Sequence, residues 1–185
     1  MTELTLQTPM TVDELLALPA FKNYELVDGV LRERKRMGAE ASAVAANILH
    51  LLATHVKASN LGVVFESEAT YQCFGTDRTG RRPDVSFIKR ERLPDGKPPV
   101  GAITVPADLA VEVISPGDRA YDVAAKVQAY RSAGFRLVWL VSPASRQVEI
   151  HRPDGTLRLL REQDVISGED VLPGFECPVA EFFRI

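Results

Sequence analysis

The stretch Asp108-Leu-Ala-Val-Glu-Val-Ile114 decides the fold class, because its nearly continuous apolar run is typical of a strand buried on both faces of a sheet. Ser115-Pro-Gly117 follows as a turn, and Asp118 is placed to cap a helix that runs to Ala133. Phe135–Val141 then predicts another buried strand. Strand, helix and strand in this order indicate an α/β fold, a mixed sheet flanked by helices.

The segments before this core predict a short helix, a hairpin and a long helix. Thr11-Val-Asp-Glu14 is a capping box and begins the short helix. Asp28-Gly29 marks the turn of a hairpin over 24–33, since a type I′ turn needs positive φ at both positions. The long helix covers 39–58, where apolar residues recur at helical spacing. The remaining elements are strands at 63–67, 69–74 and 83–88, a long loop at 89–106, and a C-terminal hairpin at 148–160.

Length and composition indicate one domain spanning 1–185, of which residues 1–9 are expected to be flexible. The chain contains no apolar run long enough to cross a membrane and no secretory pattern at its start. Cys73 and Cys177 form no CxxC pair, which favours reduced thiols in a cytoplasmic protein over a structural zinc site. The net charge of −3 argues against nonspecific coating of nucleic acid but leaves room for a local basic cleft.

Two acidic residues stand on strands that are expected to be neighbours. Glu112 lies in the middle of the buried strand, where a carboxylate is costly unless a cation, a metal or protonation compensates it. Asp84 opens the preceding strand, directly after Arg81-Arg-Pro83. Together they suggest an oxygen-ligand site for Mg²⁺ or Mn²⁺. The alternatives are a buried ion pair for Glu112 and a solvent-exposed strand start for Asp84.

The helix after Glu112 supplies a third candidate. Asp122, Lys126 and Tyr130 are spaced four residues apart and therefore share one helical face. A strand–turn–helix connection folds this helix back onto the sheet and could bring Lys126 close to Glu112. The alternatives are a solvated helix face for Lys126 and core packing for Tyr130.

Four motifs occur in a characteristic order: Tyr24-Glu-Leu-Val-Asp-Gly29, Arg82-Pro-Asp-Val85, Leu109-Ala-Val-Glu-Val-Ile-Ser-Pro116 and Trp139-Leu-Val-Ser-Pro143. With Lys126, Tyr130 and Gly134 between the last two, this set resembles the Uma2 family of endonucleases over about residues 11–183. That family belongs to the PD-(D/E)XK nuclease superfamily. The resemblance implies a restriction endonuclease-like core with an N-terminal and a C-terminal hairpin. It also implies metal-dependent hydrolysis of phosphodiester bonds in nucleic acid, with DNA as the expected substrate.

The resemblance also implies roles for individual residues. Asp84 matches the aspartate of the PD motif, and Glu112 matches the acidic residue of the ExK motif. Ile114 stands at the ExK lysine position and cannot act there, so the lysine is expected from the next helix as Lys126. Glu25 matches an early glutamate of the family and is a candidate further ligand of the metal or its water.

The implied metal ligands are the Asp84 and Glu112 carboxylates and the Val113 carbonyl. Weaker expectations are phosphate contacts by Arg82 and Tyr130. The family often carries a histidine just before its long helix, where this chain has Glu40-Ala-Ser42. Any role of that histidine is therefore absent or replaced.

Several interpretations remain open on the sequence. A catalytically idle nucleic-acid-binding or assembly module, and a metal hydrolase of small phosphoesters, are the alternatives to a DNA endonuclease. The clusters Arg32–Arg36 and Lys89–Arg92 are either phosphate contacts beside the cleft or ordinary charged edges. A homodimer is plausible because two symmetric sites can cut both strands. The apolar segment Val179–Phe183 would be its interface or would pack on its own domain.

Overall fold

The computed structural model describes residues 9–35 and 37–184, and the predicted flexible start lies outside this range except for Pro9. The helices described are α1 Val12–Leu16, α2 Ala39–Ala58 and α3 Ala120–Ser132. The strands described are β1 Tyr24–Val27, β2 Val30–Glu33, β3 Gly62–Glu66, β4 Val85–Lys89, β5 Leu109–Val113, β6 Leu137–Ser142, β7 Gln147–His151, β8 Leu157–Arg161, β9 Val165–Ser167 and β10 Glu176–Pro178. No helix in these two ranges is long and apolar enough to cross a membrane.

A six-stranded mixed sheet in the order β3-β4-β5-β6-β7-β8 forms the centre of the molecule. β5 and β6 run parallel, and the other neighbouring strands run antiparallel. The expectation that the decisive stretch is buried on both faces is confirmed, since Leu109, Ala110 and Val111 are fully buried. The C-terminal hairpin is confirmed as β7–β8.

The two long helices cover opposite faces of this sheet. α2 packs through Val44, Ile48 and Leu52 on one face, together with Val111 and other strand residues of the same parity. α3 packs on the other face through Val127 and Tyr130, beside strand residues such as Ala110 and Val138. Because side chains alternate along a strand, Glu112 shares the face of Ala110 and points toward α3.

The N-terminal hairpin β1–β2 is confirmed together with its turn. Asp28 and Gly29 have φ of 52° and 78°, the positive values that a type I′ turn requires. The capping box of α1 is also present. Leu26 packs with Val12 and Leu15 in a small separate core, and its backbone pairs with Gly80. This pairing attaches the hairpin to the segment that leads into Pro83 and Asp84.

Two expectations about local structure are wrong. The predicted strand at 69–74 does not form, because neighbouring segments reach it only at single bridges from Tyr71 to Arg81 and to Ile103. Asp118 does not cap α3; its carboxylate accepts the Ser115 amide at 2.8 Å within the turn, and Arg119 is the N-cap residue without a side-chain cap. The short pair β9–β10 was not predicted, since strands of three residues carry little periodicity.

The apolar segment Val179–Phe183 forms a 3₁₀ helix that packs on its own domain. Val179 and Phe182 are fully buried, and Phe182 contacts Trp139 with 5.9 Å between ring centroids. Asn47 on α2 donates from Nδ2 to the carbonyl of Arg184 at 2.8 Å. The segment is therefore part of the core and is not free to form a dimer interface.

Candidate active site

Asp84 and Glu112 come together because β4 and β5 are antiparallel neighbours. Asp84 immediately precedes β4, so it lies beside the end of β5, and its amide donates to the Val111 carbonyl at 3.0 Å. The Val113 amide donates to Asp84 Oδ2 at 2.8 Å. Both acidic residues have the strand parity that faces α3. The predicted meeting of two carboxylates at one end of the sheet is present.

α3 places two donors on Glu112. Lys126 Nζ donates to Glu112 Oε2 at 2.8 Å, and the Tyr130 hydroxyl donates to Glu112 Oε1 at 2.7 Å. The two residues are one helical turn apart on the same face, as the spacing predicted. The carboxylate therefore has a hydrogen-bond donor on each oxygen.

Glu25 joins the same cluster from the hairpin. Its Oε1 lies 3.2 Å from Lys126 Nζ and accepts the Arg82 amide at 2.8 Å. The side chain is only 10% exposed. Lys126 also donates to the Arg82 carbonyl at 3.3 Å, so one ammonium group binds the hairpin, β5 and the segment before β4 together.

The three carboxyl groups of the cluster do not shift alike: the pKa values of Glu112 and Asp84 are raised, and the pKa of Glu25 is lowered. Burial raises the pKa of Glu112 to about 7, and the charges of Asp84 and Glu25 add to the effect that Lys126 only partly offsets. Burial also raises the pKa of Asp84. For Glu25, burial is outweighed by Lys126, the Arg82 amide and Arg81, so its pKa is lowered.

Lys126 keeps its proton despite its burial. Burial alone would lower the pKa of its ammonium, but the neighbouring charges of Glu112, Glu25 and Asp84 outweigh this and raise it. The cluster thus holds three carboxyl groups around one permanent cation. Burial is the main reason why the pKa of Glu112 is raised to about 7, and the two other carboxylates add to it.

The expected phosphate contacts of Arg82 and Tyr130 are corrected by the structure. Arg82 is fully buried; Nε donates to Thr70 Oγ1 at 2.7 Å, and its guanidinium lies 5.0 Å from the Phe21 ring centroid. Tyr130 is fully buried as well. Side chains without exposed surface cannot contact a phosphate. Arg82 has a structural role, and Tyr130 holds Glu112.

The cluster lies in a cleft of about 650 Å³ between the β1–β2 hairpin and the start of α3. The acidic site residues Glu25, Asp84 and Glu112 line it together with Lys126. The basic side chains that line it are Arg32, Arg34, Lys35, Arg81 and Arg119. Glu33, Asp118 and Asp122 also line the cleft, so the carboxylate centre is bordered by side chains of both signs, and the five basic ones suit it to an anionic substrate.

Three further residues that line the cleft, Arg81, Arg119 and Tyr121, were not predicted from the sequence. Arg81 Nη1 lies 3.7 Å from Glu25 Oε2, and Arg81, not Arg82, lines the cleft. The adjacent arginines point to opposite sides because the chain is extended there. The sequence signal for Arg81 is its position next to Arg82, because when one of two adjacent arginines in an extended segment is buried, the other faces the site.

The two basic clusters have different surroundings. Arg32, Arg34 and Lys35 line the cleft, whereas Arg36 lies outside the described residues. In the other cluster, Arg92 pairs with buried Asp108 at 2.9 Å. Lys89 donates to the Asp170 carbonyl at 3.1 Å, and Arg90 donates to Asn60 at 2.9 Å. Only the first cluster borders the site; the second is a charged edge.

The donor set suits a hard divalent cation that keeps part of its water shell. Among residues 9–35 and 37–184, no three acidic, histidine or cysteine side chains lie together as a complete metal site. Mg²⁺ is commonly held by one or two carboxylates with waters in the remaining positions. Asp84 and Glu112 offer such a pair. Because three carboxyl groups surround the single ammonium group of Lys126, their charge favours binding of a further cation.

A family model described as "Putative restriction endonuclease", Uma2, matches residues 12–180. The chain belongs to the Uma2 family. No protein with curated annotation matches it. A crystal structure described as "a putative nuclease belonging to DUF820 from Anabaena variabilis ATCC 29413" superposes with a TM-score of 0.80 at 18% identity, covering 95% of this chain and 98% of that chain. At this identity the likeness concerns the fold, which the Uma2 chain shares over nearly its whole length.

Proposed function

We propose that this Uma2 chain is a metal-dependent phosphodiester hydrolase that cuts DNA as an endonuclease. The observation that carries the proposal is the convergence of Asp84, Glu112 and Lys126 within one cleft bordered by arginines. Two carboxylates and a cationic amine suit phosphoryl chemistry, because the reaction develops negative charge on the phosphate. Family membership supports a nuclease.

Asp84, Glu112 and the Val113 carbonyl would hold Mg²⁺ or Mn²⁺. When bound, the ion supplies Lewis acidity toward a phosphate oxygen and lowers the pKa of a bound water. The Ile114 amide donates to the Val141 carbonyl on β6 at 2.8 Å, and the Val113 amide points to the other side, toward Asp84. The amide and carbonyl of one strand residue face the same side, so the Val113 carbonyl also points to the side of Asp84.

The remaining residues of the cluster orient these groups. Lys126 would stabilise the negative charge that develops on the phosphate during attack. Glu25 holds Lys126 from the hairpin side and would accept a hydrogen bond from the attacking water. Tyr130 fixes the orientation of the Glu112 carboxylate through its hydroxyl hydrogen bond.

The test is cleavage of a supercoiled plasmid by the full chain in Mg²⁺ or Mn²⁺. Asp84→Asn keeps the size of the side chain and removes its charge, so activity should fall by more than the roughly 10–100-fold that loss of an outer-shell partner causes. Asp122→Asn is the matched control, because Asp122 lines the same cleft outside the carboxylate cluster. Equal cleavage by the protein and Asp84→Asn would refute the proposal.

Plasmid cleavage, together with DNA binding and turnover of a chromogenic phosphodiester, separates the two alternatives. A catalytically idle site is favoured by the ammonium of Lys126, which contacts both Glu112 and Glu25. This alternative predicts DNA binding without metal-dependent cleavage. A small-phosphoester hydrolase would turn over a chromogenic phosphodiester but leave plasmid and oligonucleotides intact. Homodimerisation stays a prediction that light scattering of the purified chain can test, and its interface would not include Val179–Phe183.

A further inference from the structure

Tyr121 is an exposed aromatic side chain at the mouth of the cleft. It lies in the first turn of α3 and is 83% exposed. It is the one aromatic residue among the cleft-lining residues within the described ranges. Single exposed apolar residues are common on protein surfaces, so exposure alone means little. Its position beside the candidate reaction centre is what distinguishes it.

The cations around Tyr121 are available for binding. Arg119 is exposed and lies two residues before it, and Arg32 and Arg34 of the hairpin line the same cleft, together with the acidic Glu33, Asp118 and Asp122. Within residues 9–35 and 37–184, none of these three arginines forms an ion pair. Lys35 bonds to the Gly117 carbonyl and thereby joins the two sides of the cleft mouth. An aromatic ring among cations is the combination that binds single-stranded nucleic acid.

We infer that Tyr121 stacks on an unpaired base and directs the proposed nuclease toward DNA with single-stranded character. This inference rests on the proposed function and specifies its substrate class. In a duplex each base face is covered by its neighbours, so an aromatic side chain can stack only where a base is unpaired or displaced. The flanking arginines would hold the adjacent phosphates without reading sequence.

The test measures binding of a fluorescein-labelled oligothymidine strand by anisotropy, with every protein carrying Asp84→Asn so that the strand stays intact. Tyr121→Ala should bind the single strand about tenfold more weakly, as expected for the loss of one stacked base. Tyr121→Phe should bind like the parent, because the ring is kept. A blunt duplex of the same length should be bound equally by all three. Because Tyr121 is 83% exposed, its truncation removes little packing, and circular dichroism checks that the fold is retained.

An abasic scan gives the decisive readout. A single abasic site moved along the strand should weaken binding at one or two positions, and Tyr121→Ala should be insensitive at those positions. Equal losses on duplex and single strand, or failure of Tyr121→Phe to restore binding, would overturn the inference. With Asp84 intact, cleavage of plasmid and of a single strand that Tyr121→Ala leaves unaffected would overturn it while leaving the nuclease proposal intact. Tyr121-dependent strand binding without any cleavage would refute the nuclease proposal alone.

Discussion

At the scale of single residues, Glu112 carries a charge that its surroundings only partly neutralise. Lys126 and Tyr130 donate to its two oxygens, yet burial and the charges of Asp84 and Glu25 still raise its pKa to about 7. Buried carboxyl groups of this kind cluster at functional sites, because a reaction centre needs charge that the fold alone would not keep. Glu112 is therefore the residue whose ionisation should control both stability and metal binding.

The raised pKa of Glu112 predicts a pH-dependent stability that Glu112→Gln removes. Between the ordinary value of 4.5 and about 7, the folded state holds the proton and the unfolded state releases it. The contribution of protonated Glu112 to the unfolding free energy is complete below the ordinary pKa, and it is lost as pH rises through the pKa of the folded state. The unfolding free energy of Glu112→Gln relative to the parent should therefore rise over this interval, as measured by urea denaturation in EDTA. A difference that does not change with pH would contradict the prediction.

The same substitution tests the metal assignment by calorimetry. Mn²⁺ affinity of the parent should increase as pH rises through about 7, because binding requires the ionised carboxylate. Glu112→Gln should bind Mn²⁺ weakly at every pH while circular dichroism shows an unchanged fold. Unchanged Mn²⁺ affinity in this variant would exclude Glu112 as a ligand.

Tyr130→Phe isolates the role of the hydroxyl on Glu112. Losing this 2.7 Å hydrogen bond frees the carboxylate to rotate and should weaken Mn²⁺ binding by about tenfold. Tyr71→Phe is the matched control, since Tyr71 is also fully buried and donates to Ser86 at 2.8 Å outside the site. Both variants lose one buried hydrogen bond, but only Tyr130→Phe should change metal affinity. Equal effects would assign Tyr130 to packing alone.

At the scale of elements, the β1–β2 hairpin is what brings Glu25 into the cluster. Its backbone pairs with Gly80 through Leu26, and the Gly29 amide donates to the Arg78 carbonyl at 2.7 Å. These bonds fix the hairpin against the segment that also carries Arg81 and Asp84. The site therefore depends on an element far from β5 in sequence.

Gly29→Ala should destabilise the protein more than Gly75→Ala. Both glycines have positive φ, 78° and 76°, which costs an L-residue about 1–2 kcal/mol. A Cβ at Gly29 would also collide with Pro9, whereas a Cβ at Gly75 meets no atom within 4 Å. The collision should add about 1 kcal/mol or more, as overpacking does. Urea denaturation of the two variants measures the difference, and equal losses would show that Pro9 moves away without cost.

At the scale of the whole molecule, charge is distributed unevenly. The chain has a net charge of −3, yet the cleft mouth carries Arg32, Arg34, Lys35 and Arg119. An acidic surface repels polynucleotide in general, and the local cations would orient it onto the site. The affinity for DNA should therefore depend steeply on salt concentration, and the DNA should bind only at the face that carries the cleft.

Arg34→Gln should lower the slope of log affinity against log salt for DNA by about 1, the effect of removing one phosphate contact. Arg158→Gln is the control, because Arg158 is exposed on the edge strand β8 and does not line the cleft. Both variants change the net charge equally, so an effect of net charge alone would change the salt slope of DNA binding by the same amount in both. Equal slopes for the two variants would mean that the DNA does not bind at the cleft.

Local chemistry made much of the fold predictable. The apolar run of β5, the capping box of α1 and the turn at Asp28-Gly29 each depend on residues close in sequence, and each is present. The strand expected at 69–74 failed because strand formation requires partners, and only single bridges reach Tyr71. Periodicity describes a residue's own segment and carries no information about what lies beside it.

The sequence by itself determined the order of the three helices and of the long strands, the place of Glu112 on the central strand β5, and the shared helical face of Lys126 and Tyr130, because these follow from spacing along one segment. Tertiary structure alone decided that Glu25 meets Lys126 and that Arg81 faces the cleft while Arg82 enters the core. It also decided that the Val179–Phe183 helix is covered by its own domain. These outcomes depend on which strands pair and in which register, and a one-residue shift of register would turn every side chain to the opposite face.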